Sequence, residues 1–115
     1  MIFNPGIVPQ ASGGGAVCGT YTGNGYSSKT LAFANIEPAC IILMHGTEHR
    51  TIAINNSAGG LAVYESLASV KTSIAEVTVT FSGKTVTFSA LSTTALLNAV
   101  NKSGESYSFV AIPKA

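Results

Sequence analysis

The sequence predicts an all-β fold, an antiparallel β-sandwich of about seven to eight short strands. Short stretches of β-forming residues recur along the chain between clusters of Gly, Asn and Ser, at the spacing typical of a sandwich. No stretch with helical periodicity extends beyond two turns. A chain of 115 residues has room for a single hydrophobic core, so we expect one folded domain.

The clearest element is a β-hairpin formed by residues 75–81 and 84–88. Val77, Val79 and Phe81 alternate with threonines, which places the apolar side chains on one face of a strand and the threonines on the other. The second stretch repeats the alternation. Ser82 and Gly83 lie between the two stretches and predict a two-residue turn, in which Gly83 supplies a positive φ.

Residues 39–44 form an unbroken apolar stretch, which predicts a strand that is covered on both faces. We expect it in the interior of a sheet or in an oligomer interface. Residues 91–100 are ambiguous, because Ser92 fits the cap of a short helix but the segment also fits an extended connection. The other strand predictions are residues 17–22, 30–33, 51–54, 61–65 and 107–112.

The N-terminal residues 1–15 are rich in Pro and Gly and are expected to form a flexible arm or linker, with the β-sandwich domain over residues 16–115. This segment lacks a positively charged stretch followed by an apolar one, so we expect no secretory signal and synthesis in the cytoplasm. No apolar stretch reaches the length of a membrane-spanning helix. Cys18 and Cys40 are therefore expected as free thiols within core strands.

The composition is apolar and weakly charged, with 46% hydrophobic and 10% charged residues and a formal net charge of +1. Such a balance argues against nucleic acid and against membrane insertion. The surface must be built largely from Ser, Thr, Asn and Gly, and it suits a protein that packs against copies of itself or a larger particle. An ordinary soluble sandwich rich in Ser and Thr is the alternative.

The sequence predicts no catalytic site and no cofactor. All five acidic residues are Glu, so no Asp is present to orient a catalytic histidine, and no Gly-x-Ser-x-Gly motif occurs. His45 and His49 flank a predicted hairpin loop, and we expect them to be solvated there without a metal ion bound within one chain. Tyr21 and Tyr107 lie at positions of their predicted strands whose side chains face inward by alternation, so they are expected in the core. The candidate ligand-binding residues are Tyr26, His45, His49, Arg50 and Tyr64.

Three stretches of the sequence carry a resemblance to a known group of domains. They are Gly-Thr-Tyr-Thr-Gly-Asn-Gly at 19–25, a segment at 33–44 in which Pro38 precedes an apolar strand, and a segment at 97–112 that contains Leu-Asn, Ser-Gly and a closing Tyr-Ser-Phe-Val-Ala-Ile. In order and spacing they resemble small β domains of phage and prophage tail fibre proteins. Tryptophans are common before the last motif in that group, and this chain has none.

The resemblance implies a virion component in a phage tail, one that forms a homotrimer, binds other virion proteins and contacts a glycan of the host cell surface. It brings no catalytic residues. Two alternatives remain open on the sequence, namely a stand-alone carbohydrate-binding β-sandwich and an accessory subunit of a capsid or baseplate.

Overall fold

The computed structural model describes residues 15–46, 49–56, 59–68 and 71–114, and the side chains of all of these except 66–68 and 71–75. The predicted arm at residues 1–15 lies outside the described residues apart from Gly15. The elements are β1 Val17–Thr22, β2 Lys29–Ala32, β3 Pro38–His45, β4 His49–Ile54, β5 Leu61–Ala68, β6 Lys71–Ser82, β7 Thr85–Ser89, α1 Thr94–Val100 and β8 Ser106–Pro113.

The strands form one antiparallel sheet of eight strands in the order β1-β8-β3-β4-β5-β6-β7-β2, curled into a half-barrel. The all-β prediction is confirmed, but the strands are joined in a single sheet and not in two stacked ones. The reason lies in the twelve-residue strand β6. Its first part pairs with β5 through Val77, and its second part pairs with β7 from Thr78 onward, so one strand links the two regions that a sandwich would separate.

Side chains bridge the two edges of the curled sheet. The Lys29 ammonium group on β2 lies 4.7 Å from the centre of the Tyr21 ring on β1, a cation–π contact. Just beyond β2, the ring of Phe33 meets the ring of Phe109 edge to face at 5.8 Å. These contacts bring the edge strands close together and leave an inner face that holds the core.

The predicted hairpin is confirmed as β6 and β7, with Val77, Val79 and Phe81 buried and Thr78 and Thr80 exposed. Its turn is one residue later than predicted. Ser82 pairs with Thr85, so the turn residues are Gly83 and Lys84, with Gly83 at a φ of 56°.

Helix α1 resolves the ambiguity at residues 91–100 and packs across β4, β5 and β6 on the inner face. Its cap is Thr93, not Ser92, because the Leu96 amide donates to Thr93 Oγ1 at 3.3 Å. The Thr51 hydroxyl donates to the Ala99 carbonyl at 2.7 Å and ties β4 to the helix. Alanines at 53, 62 and 99 are buried where helix and sheet meet.

Strand β3 is interior as predicted, since it lies between β8 and β4. Only its inner side is fully covered. Ile41 and Leu43 point into the core and are buried, whereas Met44 on the outer side is 46% exposed. Among the described residues, none provides the expected cover of the second face.

Candidate functional site

The loops that follow β1, precede β8 and join β3 to β4 lie at one end of the sheet, because Thr22 pairs with Ser106 and Met44 with Ser108 in the antiparallel register. We call this the loop end, and it comprises residues 23–28, 101–105 and Gly46. Two of the stretches that carry the resemblance, 19–25 and 97–112, meet here. Residues 47 and 48 lie outside the described residues.

Asn101 joins the two loops through its fully buried side chain. Its amide nitrogen donates to Asn24 Oδ1 at 2.8 Å and to the Tyr26 carbonyl at 2.9 Å, and its oxygen accepts from the Asn24 amide at 3.1 Å. Every polar atom of this buried side chain therefore has a partner, which makes Asn101 a fixed link between segments 77 residues apart in sequence.

Gly23 is confined by the facing loop. Its amide donates to the Glu105 carbonyl at 2.9 Å, and its carbonyl accepts from the Gly104 amide at 3.0 Å. A Cβ atom at this position would lie 2.2 Å from the Lys102 carbonyl oxygen. The glycine that opens Gly-Asn-Gly is therefore required by close backbone contact.

Two stacked tyrosines support the end of helix α1, with the rings of Tyr21 and Tyr107 5.2 Å apart. The Tyr21 hydroxyl donates to the Val100 carbonyl at 2.7 Å. The Tyr107 hydroxyl lies 2.9 Å from the Asn98 carbonyl and accepts from the Lys102 amide at 3.0 Å. These bonds satisfy carbonyls that the last helical turn leaves free.

Burial of Tyr107 raises the pKa of its hydroxyl to about 12. Burial likewise raises the pKa of Tyr21, and the neighbouring Tyr107 adds to the effect. Both groups therefore remain protonated donors at neutral pH. The core prediction is confirmed for Tyr107, which is fully buried, while Tyr21 is half-buried and packs against the core.

The prediction that both histidines are solvated at a loop tip is wrong for His45, which is buried at the end of β3, while His49 is half-buried at the start of β4. His45 continues the inward alternation of Ile41 and Leu43, and it is only 8% exposed. Its ring stacks on that of His49 at 4.6 Å and contacts Tyr107 at 4.7 Å. The two histidines thus end an inner column of rings and not a hydrated loop.

Burial lowers the pKa of His45, and the adjacent His49 lowers it further. Lys102 acts in the same direction and Glu105 opposes it. His49 Nδ1 lies 2.9 Å from the Tyr64 hydroxyl, and their rings are stacked. Among residues 15–46, 49–56, 59–68 and 71–114, no group of three or more His, Cys, Asp or Glu side chains is placed to hold a metal ion.

The five candidate ligand-binding residues are separated by the fold. The structure gathers His45, His49 and Tyr64 on the inner side, where Tyr64 is 3% exposed. Arg50 lies on the outer side and its Nε donates to Glu65 at 2.7 Å. Tyr26 is the only one of the five that is both in a loop and largely exposed, at 71%, as expected.

Sequence reasoning missed an apolar surface on the outer side of the sheet. Ile42 pairs with Val110 on one side and with Ile52 on the other, and Cys40 pairs with Ile112 and Ile54. These two rows of paired apolar residues continue onto β5, where Val63 lies opposite Ile52 and Leu61 lies opposite Ile54. We call the set the outer apolar face: Cys40, Ile42, Met44, Ile52, Ile54, Leu61, Val63, Val110 and Ile112. Six members are 37–51% exposed.

The sequence signal for this face lies in β4, where large apolar residues alternate with small ones and it is the large ones that point outward. Small residues, Thr51 and Ala53, point inward, while Ile52 and Ile54 point outward. The inward positions are small because helix α1 lies against them, with Ala99 buried at the contact. If the larger residues Ile52 and Ile54 are assumed to face the core, the inner and outer sides of β4 are assigned the wrong way round.

A shallow groove of about 390 Å³ adjoins this face over β1, β8 and β3. The small side chain of Ser108, opposite Met44 in the register, lies between the larger neighbours that line the groove. Cys18 also lines it and is exposed, so its predicted place in the core is wrong. Cys40 is half-buried, and burial raises the pKa of its thiol.

Comparison with known proteins identifies no relative of this chain, since no family model, curated protein or solved structure matches it. No helix within the described part of the chain is long and apolar enough to cross a membrane.

Proposed function

We propose that this chain is a non-enzymatic structural module of a phage or prophage virion, in a tail fibre or tail tip, that acts by assembling with copies of itself and with other virion proteins. The observation that carries the proposal is the outer apolar face. Its exposed aliphatic side chains form a continuous surface across β8, β3, β4 and β5, where a solvated sheet face would carry polar residues.

The size of this surface favours assembly. The six exposed members present about 500 Å² of mostly apolar area, near the upper end of the patches that monomers expose. Covering that area contributes about 12 kcal/mol per copy before the entropy of association is subtracted. This gain is of the same order as the roughly 4–15 kcal/mol that association costs in lost translational and rotational freedom.

The polar groups that an enzyme would use are committed to internal bonds. His49 bonds to Tyr64, and Arg50 bonds to Glu65. Asn101 uses its side chain to connect two loops. Among the described residues these pairs support a structural role for the groups that the sequence singles out.

Two of the stretches that carry the tail fibre resemblance contact each other at the loop end. The stretch at 19–25 supplies Tyr21, Gly23 and Asn24, and the stretch at 97–112 supplies Asn101 and Tyr107. The two stretches bond to each other through side chains and backbone. Their mutual contact gives them a structural reason to occur together in this chain.

We place the contact with a host glycan at Tyr26. Its ring is the most exposed large apolar group at the loop end. The groove near Ser108, in contrast, is lined by no tyrosine. A glycan array with the wild type and Tyr26→Ala tests this part of the proposal, and equal binding by both would exclude Tyr26 as the contact.

The absolute mass in solution tests the assembly function. Light scattering across a concentration series should give three times the chain mass of 11.7 kDa, the homotrimer expected for a tail fibre module. A protein that stays monomeric at every concentration would contradict the proposal. Glycan binding by such a monomer would favour the stand-alone carbohydrate-binding domain.

A further inference from the structure

We propose that the outer apolar face is the surface on which a second copy of this chain binds, with a ridge of one copy seated in the groove of its neighbour. The ridge consists of Ile52, Ile54, Leu61 and Val63 on β4 and β5. The groove is the depression over Ser108. This inference rests on the proposed assembly function and adds to it the residues that make the contact.

The ridge is a compact block of four aliphatic side chains. Ile52 pairs with Val63 and Ile54 pairs with Leu61, so the four side chains stand on neighbouring positions of two adjacent strands. Each is 37–51% exposed in the single chain. Such a block contributes to stability only when another surface covers it.

The groove lies on the same side of the sheet, displaced from the ridge across β3. With adjacent strands about 4.8 Å apart, the centre of the ridge is about 12 Å from β8, where Ser108 lies. One copy can therefore offer its ridge to one neighbour while its groove receives the ridge of another. A contact of this type closes into a ring if the rotation between copies permits, which agrees with the expected trimer.

The distribution of charge argues against a charged partner and fits a second copy of the same uncharged face. The outer apolar face contains no charged side chain. Arg50, Glu65 and Glu76 border it in the register, and Arg50 and Glu65 are already paired within the chain. A charged partner would find no counter-charge at the centre, whereas a second uncharged face leaves no buried charge unpaired.

The area of the face is shared by two contacts per copy, one through the ridge and one through the groove. A standard interface buries about 800 Å² on each partner. The exposed members of the face supply about 500 Å² in all, and the groove and the half-buried members Ile42 and Val110 add to it. Each single contact is therefore smaller than the standard size, and a closed ring is stabilised because every copy makes two of them.

The test compares three variants by light scattering at the concentration where the wild type is assembled. Ile52→Lys places a charge on the ridge, and Leu61→Ser removes its most exposed side chain. Thr80→Lys is the matched control, because Thr80 is exposed on the outer side of β6 beyond the apolar face. We expect both ridge variants to be monomeric, the control to assemble, and all three to keep a cooperative unfolding transition.

The native Cys18 thiol reports directly on the groove. It is exposed in the single chain and lines the depression, so assembly should slow its reaction with a maleimide at least about tenfold. The ridge variants should restore the fast rate, and dilution of the wild type should do the same. The rate of maleimide labelling in denaturant serves as the reference for a fully accessible thiol.

The outcomes separate this inference from the proposed function. If the ridge variants assemble as the control does, or Cys18 remains fast in the oligomer, copies meet elsewhere and the inference is overturned while the assembly function stands. If the wild type is monomeric throughout, the assembly function fails, and the inference fails with it.

Discussion

At the loop end, polar side chains are buried and hydrogen-bonded, whereas on the outer apolar face large aliphatic side chains are exposed to water. Asn101 is fully buried with every side-chain polar atom paired, and Leu61 is 51% exposed on the opposite side of the same sheet. The two regions invert the usual distribution of polar and apolar groups.

The difference separates residues that specify the fold from residues that the proposed assembly would cover. A buried amide is favourable only in one hydrogen-bonding geometry, so the Asn101 network selects a single arrangement of the loops. Exposed isoleucines add little to the stability of one chain. They are consistent with a surface that acquires its cover by assembly.

The sharpest test of the loop end is Gly23→Ala. The new Cβ would lie 2.2 Å from Lys102 O and 2.8 Å from Asn101 C, both backbone atoms, so one loop must move and break its bonds. We expect the free energy of unfolding in urea to fall by about 4 kcal/mol or more. Gly83→Ala is the control, since Gly83 has a φ of 56° but open space around it, and it should cost only about 1 kcal/mol. Equal losses would show that the loops are not locked.

The contrast between the two faces is tested by a matched pair of isoleucines. Ile41 is fully buried on the inner side of β3, and Ile52 is 40% exposed on the outer side of β4. In urea titrations of the monomer we expect Ile41→Ala to lower the free energy of unfolding by about 3 kcal/mol and Ile52→Ala by about 1 kcal/mol or less. A comparable loss at Ile52 would mean that the outer face already has cover within the chain.

The strands of this fold can be predicted from the sequence because alternation is a local property. The alternation of Val77, Val79 and Phe81 predicts the buried side of β6, and β1 begins and ends at the predicted residues. The single sheet cannot be predicted in the same way. It depends on the pairing of β8 between β1 and β3, which is a long-range contact. It also depends on the point within β6 at which the strand changes its partner from β5 to β7, and the alternation of residues does not mark that point.

The candidate site was only partly accessible to sequence reasoning. Ile41, Leu43 and His45 occupy alternate positions and therefore share one side of a strand. The burial of His45 can be predicted from this alternation if the strand is taken to extend as far as His45. The contact of Asn24 with Asn101 has no local signal, since 77 residues separate them. The exposure of Ile52 and Ile54 depends on helix α1, which occupies the inner side and leaves room only for small residues there.

Asn101→Ala measures the contribution of the buried amide. The variant removes three hydrogen bonds, so the Asn24 backbone amide and the Tyr26 carbonyl lose the partner that Asn101 provides, while Asn24 Oδ1 keeps its bond from the Tyr26 amide. We expect the free energy of unfolding to fall by about 2 kcal/mol. Asn55→Ala, which loses a single 3.5 Å bond to the Pro38 carbonyl, should cost less than about 1 kcal/mol. If Asn101→Ala cost no more than Asn55→Ala, the network would not be what fixes the loop end.

The smallest expected effect is the dependence of stability on pH through His45. Burial and the neighbouring His49 lower the pKa of His45, so the imidazole is neutral in the folded protein where the unfolded chain, with a pKa near 6.5, binds a proton. The unfolded state thus gains protons first, and stability must decrease as the pH falls below about 6.5. Urea midpoints between pH 7.5 and 5.5 should decline, and they should decline less in His45→Gln.

Groups around His45 determine how steep this decline is. Lys102 lowers the pKa of His45 further and Glu105 opposes the shift, so Glu105→Gln should make the decline steeper by removing a carboxylate that favours the protonated ring. His45→Gln keeps a polar side chain at the position and abolishes its titration. If the decline were the same in His45→Gln as in the wild type, the proton uptake would occur elsewhere, and the buried column of rings at the loop end would carry no pH dependence.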